Sequence, residues 1–133
     1  DVDAVYGILP ELVAFPSQSY ALLPRTTQKI EDDLDHRRRL FALIQTRFPE
    51  KIPKIPECDV LPFAIPIKGE LKKLEHLALK VKKELNIEVP ILHFDFARNM
   101  LSPDYRKALV IGCHQDWTEE RVTAICKIIE NDG

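Results

Sequence analysis

One stretch near the end of the chain decides the fold: Ala108-Leu-Val-Ile-Gly-Cys-His-Gln-Asp-Trp-Thr-Glu-Glu-Arg-Val-Thr-Ala-Ile-Cys-Lys-Ile-Ile-Glu130. Residues 109–111 form a short apolar run that is typical of a buried strand, and a polar turn follows over residues 112–116. Four apolar residues then repeat at the spacing of one helical face: Val122, Ile125, Cys126 and Ile129. The stretch therefore predicts a strand, a tight turn and an amphipathic helix that packs against the rest of the chain.

The start of this last helix has two candidate caps. Thr118 is one, and Asp116 with Glu119 three residues later is the other. Either side chain places an oxygen where it can accept from the free N–H groups of the first turn. Glu119 and Glu120 also lie where the helix dipole favours negative charge. We expect the helix to begin within residues 116–120.

Composition indicates a globular chain of ordinary character. It has 133 residues, of which 45% are hydrophobic and 30% charged, so one domain with a modest core is the simplest expectation. The formal net charge of −2 favours neither a nucleic acid nor an anionic membrane as partner. No apolar run approaches the roughly 20 residues of a membrane span, and the N-terminus does not resemble a secretory signal.

The cysteines favour a reducing compartment. Cys58, Cys113 and Cys126 are odd in number and show no C-x-x-C spacing, so we expect reduced thiols and a cytoplasmic location. The chain also lacks an initiating methionine, which favours the interpretation that it is part of a longer polypeptide.

Upstream of the deciding stretch, apolar periodicity predicts alternating helices and strands. A long helix opens at Thr26 or Thr27 and ends near Phe48, because six positions follow the helical repeat: Ile30, Leu34, Arg37, Phe41, Ile44 and Phe48. Prolines at positions 10, 16 and 24 predict that residues 1–25 are irregular. A second helix over residues 71–85 has the clearest apolar stripe, and Asn86 is a candidate left-handed stop.

Two further strands are predicted, over residues 60–67 and 87–94. Pro62 and Pro66 remove N–H donors from a single edge of the first, which we therefore expect to lie at the edge of a sheet or to border a bulge. Residues 96–106 are predicted to form a loop or short helix. The resulting order predicts an α/β fold of the two-layer α+β kind, with a small sheet of about three strands and helices packed on one side.

No set of residues forms a strong catalytic or metal-binding motif. Cys58, His93, Cys113 and His114 are zinc-type ligands, but their spacing does not match a zinc site. Cys113 and His114 are adjacent, so on a strand end they point to opposite faces and pair poorly as nucleophile and base. His93 and Asp95 share a strand face and could act as base and orienting carboxylate, although a packed histidine is the commoner situation. His36 with the three arginines after it reads as a solvated helix face, because acidic neighbours offset its charge.

Several ordered motifs nevertheless resemble the DegT-like (DegT/DnrJ/StrS) aminotransferases. Val110-Ile-Gly-Cys-His-Gln-Asp-Trp-Thr-Glu-Glu-Arg-Val resembles the family's terminal "L-P-C-H-Q-D-L-T-E-E-D-V" segment. Four upstream segments match in the same order: Pro16-Ser-Gln-Ser-Tyr-Ala-Leu with "P-S-x-L-S-L", Arg37-Arg-Arg-Leu-Phe with "R-R-R-x-N-Y", Leu61-Pro-Phe-Ala-Ile-Pro with "P-L-x-F-P-I", and Leu85-Asn-Ile-Glu-Val-Pro-Ile-Leu-His-Phe with "x-G-I-x-x-x-x-H-Y". The resemblance covers roughly residues 16 to 130.

The resemblance implies the C-terminal small domain, residues 26–133, of a pyridoxal-phosphate (PLP) enzyme acting on keto sugars or similar carbonyls. Residues 1–25 are then an arm from an upstream large domain, which carries the Schiff-base lysine and the other cofactor contacts. This chain would supply no catalytic, cofactor-binding or metal-binding residue and would hold no cofactor alone. It would form one wall of the substrate cleft and part of a homodimer contact.

The substrate-side position that the resemblance implies is His93, with Arg98 and Asn99 behind it. Two positions depart from the family pattern, since Phe94 stands where the family has Tyr or Trp and Asn86 where it has Gly. An alternative hypothesis is a non-enzymatic α/β binding or interaction domain. A third is a small thiol enzyme that uses Cys113.

Overall fold

A computed structural model describes residues 16–54, 62–97 and 100–132 of the chain, with side chains described from Thr27 onward. In chain order these residues form helix α1 (Pro16–Arg47), strand β1 (Ala64–Lys68), helix α2 (Leu71–Leu85), strands β2 (Ile91–Asp95) and β3 (Tyr105–Gly112), and helix α3 (Glu119–Asp132). The chain divides into two compact units, Asp1–Asp32 and Asp33–Gly133. The sheet, α2, α3 and the second part of α1 all belong to the second unit.

Helix α1 begins earlier than the sequence predicted. Its first residue is Pro16, so the expectation of an irregular segment up to residue 25 is wrong for residues 16–25, while residues 1–15 lie outside the described part. A proline fits the first turn of a helix because the N–H that it lacks has no partner there. Pro24 lies inside the helix and costs about 3 kcal/mol. A helix of 32 residues retains most of its other hydrogen bonds.

The sheet has three antiparallel strands in the order β1-β3-β2. Ile65 lies opposite Ile111 across the β1–β3 pair, and Ile91 lies opposite Leu109 across the β2–β3 pair. The predicted fold is therefore confirmed as a small α+β domain, with its sheet of three strands. The strand bounds differ: β2 is shorter than predicted, and β3 begins at Tyr105, inside the expected loop, because its first residues pair with β2.

The core lies between one face of the sheet and the three helices. On the sheet side it consists of alternate residues of β1 and β3, among them Ile65, Ile67, Leu109 and Ile111. The predicted stripe of α3 is confirmed, since Val122, Ile125, Cys126 and Ile129 are all buried. Helix α1 contributes Leu40 and Ile44, of which the sequence pattern included only Ile44.

The structure contains the predicted left-handed stop at the end of α2 and a predicted cap at the start of α3. Asn86 adopts a left-handed conformation, with φ 55° and ψ 36°, and its N–H donates to the Lys82 carbonyl at 3.0 Å. At the start of α3, the Arg121 N–H donates to Thr118 Oγ1 at 3.2 Å, so Thr118 is the cap and Asp116 is not. Within the described residues, no helix is both long and apolar enough to cross a membrane.

Replacing Thr118 with alanine is expected to lower the free energy of unfolding by about 1 kcal/mol, because one N–H of the first turn loses its acceptor. Thr118→Ser retains the oxygen and is the matched control. Thermal unfolding followed by circular dichroism measures both variants. Equal stability of Thr118→Ala and the parent chain would contradict the cap assignment.

The outer edge of β1 offers few donors for another strand, as the prolines predicted. Pro66 has no N–H, and the Lys68 N–H already donates to the Lys51 carbonyl at 2.8 Å. Phe63 and the alternate residues Ile65 and Ile67 direct their backbone groups toward β3, since the Cys113 N–H donates to the Phe63 carbonyl at 2.8 Å. The prediction that this strand lies at an edge is confirmed.

Candidate functional site at the β2 strand and the β3–α3 turn

His93 lies on β2, opposite Lys107 of β3, and its side chain is exposed. It makes no hydrogen bond, ion pair or ring contact with any residue in the described part of the chain. Arg98 and Asn99, the other two residues predicted to face substrate, lie outside the described residues. Of the three predicted site residues, the structure therefore describes only His93, which lies exposed on β2.

Asp95 does not serve as the orienting partner of His93. Its Oδ1 accepts the N–H of Ala97 at 3.0 Å and the N–H of Asp104 at 2.7 Å. Asp95 is thus bonded to a residue near the start and to a residue at the end of the connection between β2 and β3. The carboxylate thus shapes the loop beside His93, and the described residues contain no contact between the two side chains.

A second group of side chains, aromatic, imidazole and guanidinium, surrounds the turn between β3 and α3. Phe63 and His114 stack with ring centroids 4.7 Å apart at an interplanar angle of 14°. The Arg37 guanidinium carbon lies 5.5 Å from the centre of the Phe63 ring, and the Trp117 ring meets His114 edge-on at 6.4 Å. We call Arg37, Phe63, His114 and Trp117 the turn cluster. It brings together residues from three separate parts of the sequence.

Helix α1 is attached to this cluster by polar contacts. His36 Nε2 lies 2.8 Å from the Trp117 carbonyl oxygen, and in the tautomer with a proton on Nε2 it donates to that oxygen. Arg37 Nη2 lies 2.8 Å from Asp33 Oδ2, while Arg37 Nε is buried without a hydrogen-bond partner. In the described structure the Arg37 guanidinium also makes a cation–π contact with the Phe63 ring.

The three consecutive arginines of α1 all have carboxylate partners. Arg37 pairs with Asp33, Arg38 with Asp35 at 2.8 Å, and Arg39 with Glu119 of α3 at 2.9 Å. These partners balance the positive charge that a phosphate backbone would otherwise attract. Arg38 and Arg39 are exposed, as predicted for a solvated helix face, whereas His36 and Arg37 are half-buried against Trp117 and Phe63. The expected lack of affinity for nucleic acid stays a prediction.

Cys113 lies beside the turn cluster and is completely buried. Burial raises the pKa of its thiol to about 12, and the nearby positive charge of Arg37 offsets this only in part. A nucleophilic cysteine needs the opposite shift, because the thiolate is the reactive form. The hypothesis of a thiol enzyme based on Cys113 is therefore disfavoured. The described residues also contain no group of three side chains able to hold a metal ion.

Lys80 and Lys82 of α2 do not fit covalent attachment of pyridoxal phosphate. Such a lysine needs a lowered pKa, so that the neutral amine is available. The shifts in this domain run the other way: a side-chain hydrogen bond to Asp132 raises the pKa of Lys80, and one to Glu88 raises the pKa of Lys82. On α2, the Lys82 side chain is exposed and that of Lys80 is half-buried.

Part of the turn cluster could be predicted from the sequence. Arg37 is one of the six positions of the helical repeat predicted for α1, and Cys113, His114 and Trp117 belong to the quoted stretch of residues 108–130. The proximity of Phe63 to His114 follows from the β1–β3 register, which one sequence does not reveal. Comparisons with protein-family models, curated proteins and solved structures gave no match to this chain.

Proposed function

We propose that residues 26–133 are the C-terminal small domain of a PLP-dependent aminotransferase-like protein that transfers an amino group to a keto sugar or similar carbonyl. The observation that carries the proposal is the placement of the quoted motifs. The three arginines fall on α1, the His93 segment on β2, and the Cys113-His-Gln-Asp segment on the turn that joins β3 to α3. Each of these three motifs belongs to a different element of the unit Asp33–Gly133, whereas the Pro16 segment lies in the other unit.

In this proposal the domain supplies a wall of the substrate cleft and part of a homodimer contact. His93 is the substrate-side residue, supported by its exposure on β2 and by the loop that Asp95 holds beside it. The turn cluster is a positioning group that fixes β3 and α3 to α1. The cofactor, when bound in the parent protein, would supply the amino-transfer chemistry, and its lysine belongs to the large domain of the same polypeptide. The free thiols of Cys113 and Cys126 support the proposed cytoplasmic location.

The first test is borohydride trapping after incubation of the 133-residue chain with pyridoxal phosphate, followed by peptide mass spectrometry. We expect labelling spread over several exposed lysines and no stoichiometric adduct. In the longer parent polypeptide we expect a single labelled lysine outside these 133 residues. A single-lysine adduct within the chain would overturn the assignment of the chemistry to another domain.

A second test concerns His93 in the parent polypeptide. His93→Ala should raise KM for the carbonyl substrate roughly tenfold with little change in kcat, because a binding contact equal in ground and transition states would be lost. His76→Ala is the matched control, since His76 is also exposed but lies on α2, paired with Asp132 at 3.1 Å. Equal effects of the two variants would remove His93 from the proposed site.

The alternative function, a non-enzymatic interaction domain, is favoured by one specific feature. An open groove of about 750 Å³ runs between α2 and β2, with Leu79, Val89, Pro90 and Ile91 among its lining residues. Leu79 is 68% exposed there. An exposed apolar groove of this kind is typical of a contact surface for another protein. The borohydride experiment on the parent distinguishes the two functions, since an interaction domain predicts no labelled lysine upstream.

A further inference from the structure

A recess in the surface lies where β1 leads into α2, beside the last turn of α3. Its volume is about 420 Å³, within the range of small-molecule sites. The apolar part of its lining consists of residues that belong to the core or pack against it: Ile67, Leu74, Leu77 and Ile129. We call this cavity the α2 recess. All of its lining residues belong to the unit Asp33–Gly133, so one compact unit holds its apolar floor.

Four lysines line the α2 recess without a carboxylate partner in the described part of the chain: Lys51, Lys68, Lys72 and Lys73. By contrast, Lys80 and Lys82 of α2 form ion pairs of 2.6 and 2.7 Å. The chain as a whole has a formal net charge of −2, so these four lysines are a local excess of positive charge. An anion that enters the recess meets this charge while its other side contacts the apolar floor.

The two carboxylates that line the recess oppose an anion only weakly. Asp132 pairs with Lys80 at 2.6 Å and lies 3.1 Å from His76 Nε2, so its charge is already compensated. Glu70 directly precedes α2 and makes no side-chain hydrogen bond to the start of the helix. Its single negative charge is outnumbered by the four lysines. The lining of the recess therefore remains positive.

The fold brings these lysines together from separate segments. The Lys68 N–H donates to the Lys51 carbonyl at 2.8 Å, and this bond joins the end of β1 to the turn that follows α1. Lys72 and Lys73 lie a few residues further on, in the first turn of α2. Backbone structure thus fixes where each of the four side chains starts, which lowers the conformational entropy lost when they bind one ligand.

Two of the lysines lie where their own helix disfavours positive charge. Lys72 and Lys73 occupy the first turn of α2, which contains no acidic residue, and the helix dipole repels cations at this end. The first turn of α3 has the usual arrangement, with Glu119 and Glu120. An anion in the α2 recess would compensate the repulsion between these lysines and the dipole.

We propose that the α2 recess binds a small phosphate monoester, with the phosphate among the four lysines and the apolar part of the molecule on the floor. A phosphate monoester carries a charge of roughly −1.5 to −2 at pH 7, so it can interact with several ammonium groups at once. This inference goes beyond the proposed function and does not depend on it, because the recess is lined by residues other than His93 and the turn cluster.

NMR titration of the ¹⁵N-labelled 133-residue chain with phenyl phosphate at low ionic strength tests the site. We expect saturable binding, with the largest amide shifts at Lys51 and residues 68–74. Inorganic phosphate should shift the same amides with a dissociation constant about tenfold higher, because it makes no contact with the apolar floor. Pyridoxal phosphate is unsuitable as a probe, since its aldehyde can react with each of the four lysines. Shifts that do not saturate, or that are largest elsewhere, would overturn the proposal.

Paired substitutions separate the site from the effect of net charge. Lys72→Gln combined with Lys73→Gln should raise the dissociation constant for phenyl phosphate at least about tenfold. The helix should remain folded, because the dipole disfavours lysine in its first turn. Lys83→Gln combined with Lys127→Gln is the matched control, since both lysines are exposed, lie off the recess and change the net charge equally.

Equal effects of the two pairs would mean that phenyl phosphate responds to net charge alone, and would overturn the proposal. A lipid phosphate is the other source of the same chemistry, and vesicles that contain phosphatidic acid test it. Sedimentation with such vesicles, without saturable binding of phenyl phosphate, would assign the lysines to a membrane surface. That result would also exclude the small-molecule site.

Discussion

Replacing Gly112 with alanine is expected to lower the free energy of unfolding by about 3 kcal/mol, the upper part of the range for an overpacked core. Gly112 is the last residue of β3 and is buried. A Cβ atom at this position would overlap the indole ring of Trp117. Because the neighbour is a rigid ring and not the end of a flexible chain, the whole side chain must move.

Displacing the Trp117 side chain should also disturb contacts away from Gly112. Trp117 contributes to the core and to the turn cluster, and its carbonyl oxygen is the contact of His36. Moving it should loosen the attachment of α1 to the turn between β3 and α3. Trp117 is the only tryptophan of the chain, so its fluorescence reports the change directly. We expect emission shifted to longer wavelength in folded Gly112→Ala, since the indole gains contact with water.

Urea unfolding of the parent chain, Gly112→Ala and Gly69→Ala measures the effect. Gly69 is the matched control, because a Cβ there would lie 2.8 Å from Leu74 Cδ2, the movable end of a side chain. Its loss of stability should be about 1 kcal/mol or less. Adding Trp117→Ala should cost less in the Gly112→Ala background than in the parent chain, since the overlap is relieved. Simple additivity of the two substitutions would show that the overlap is not the cause.

The native chain is expected to alkylate at Cys113 at least about a hundredfold more slowly than the same chain in denaturant. Burial raises the pKa of this thiol to about 12, against an ordinary value of 9.0. At neutral pH the thiolate fraction is then lower by roughly a thousandfold, and transient opening of the domain limits how slow the reaction becomes. Burial likewise raises the pKa of Cys126, to about 11.

Iodoacetamide labelling in the Cys58→Ser background, read by peptide mass spectrometry, checks this expectation. Labelling of Cys113 at the rate of an unfolded thiol would support the thiol-enzyme hypothesis.

Burial of Cys113 and Cys126 also predicts that the free energy of unfolding depends on pH. Because the folded-state pKa values lie above 9.0, the contribution of both thiols is complete below pH 9 and is lost as pH rises toward about 12. Cys126→Ala, compared with the parent chain, should reduce that alkaline loss.

Local patterns predicted the elements that depend on near neighbours in the chain. The stripe of α3, the left-handed conformation of Asn86 and the edge position of β1 each follow from a few adjacent residues and their steric or hydrogen-bonding needs. The early start of α1 was missed because Pro16 and Pro24 were read as breaks, although a long helix accommodates both. The first residues of β3 were missed because their pairing with β2 is a contact between distant segments.

The candidate site, too, could be predicted from the sequence only in part. His93 was predicted from its place in a motif, and the structure shows it exposed on β2. The turn cluster required the tertiary structure, since His36 and Trp117 are 81 positions apart and Phe63 reaches His114 through the pairing of β1 with β3. Apart from the start of α1, the sequence by itself determined the helices, the sheet edge and the class of fold, because periodicity and proline act locally. Which strand edge stays open, and which side chains meet at the turn, was decided only by tertiary packing, because both depend on the register between distant strands.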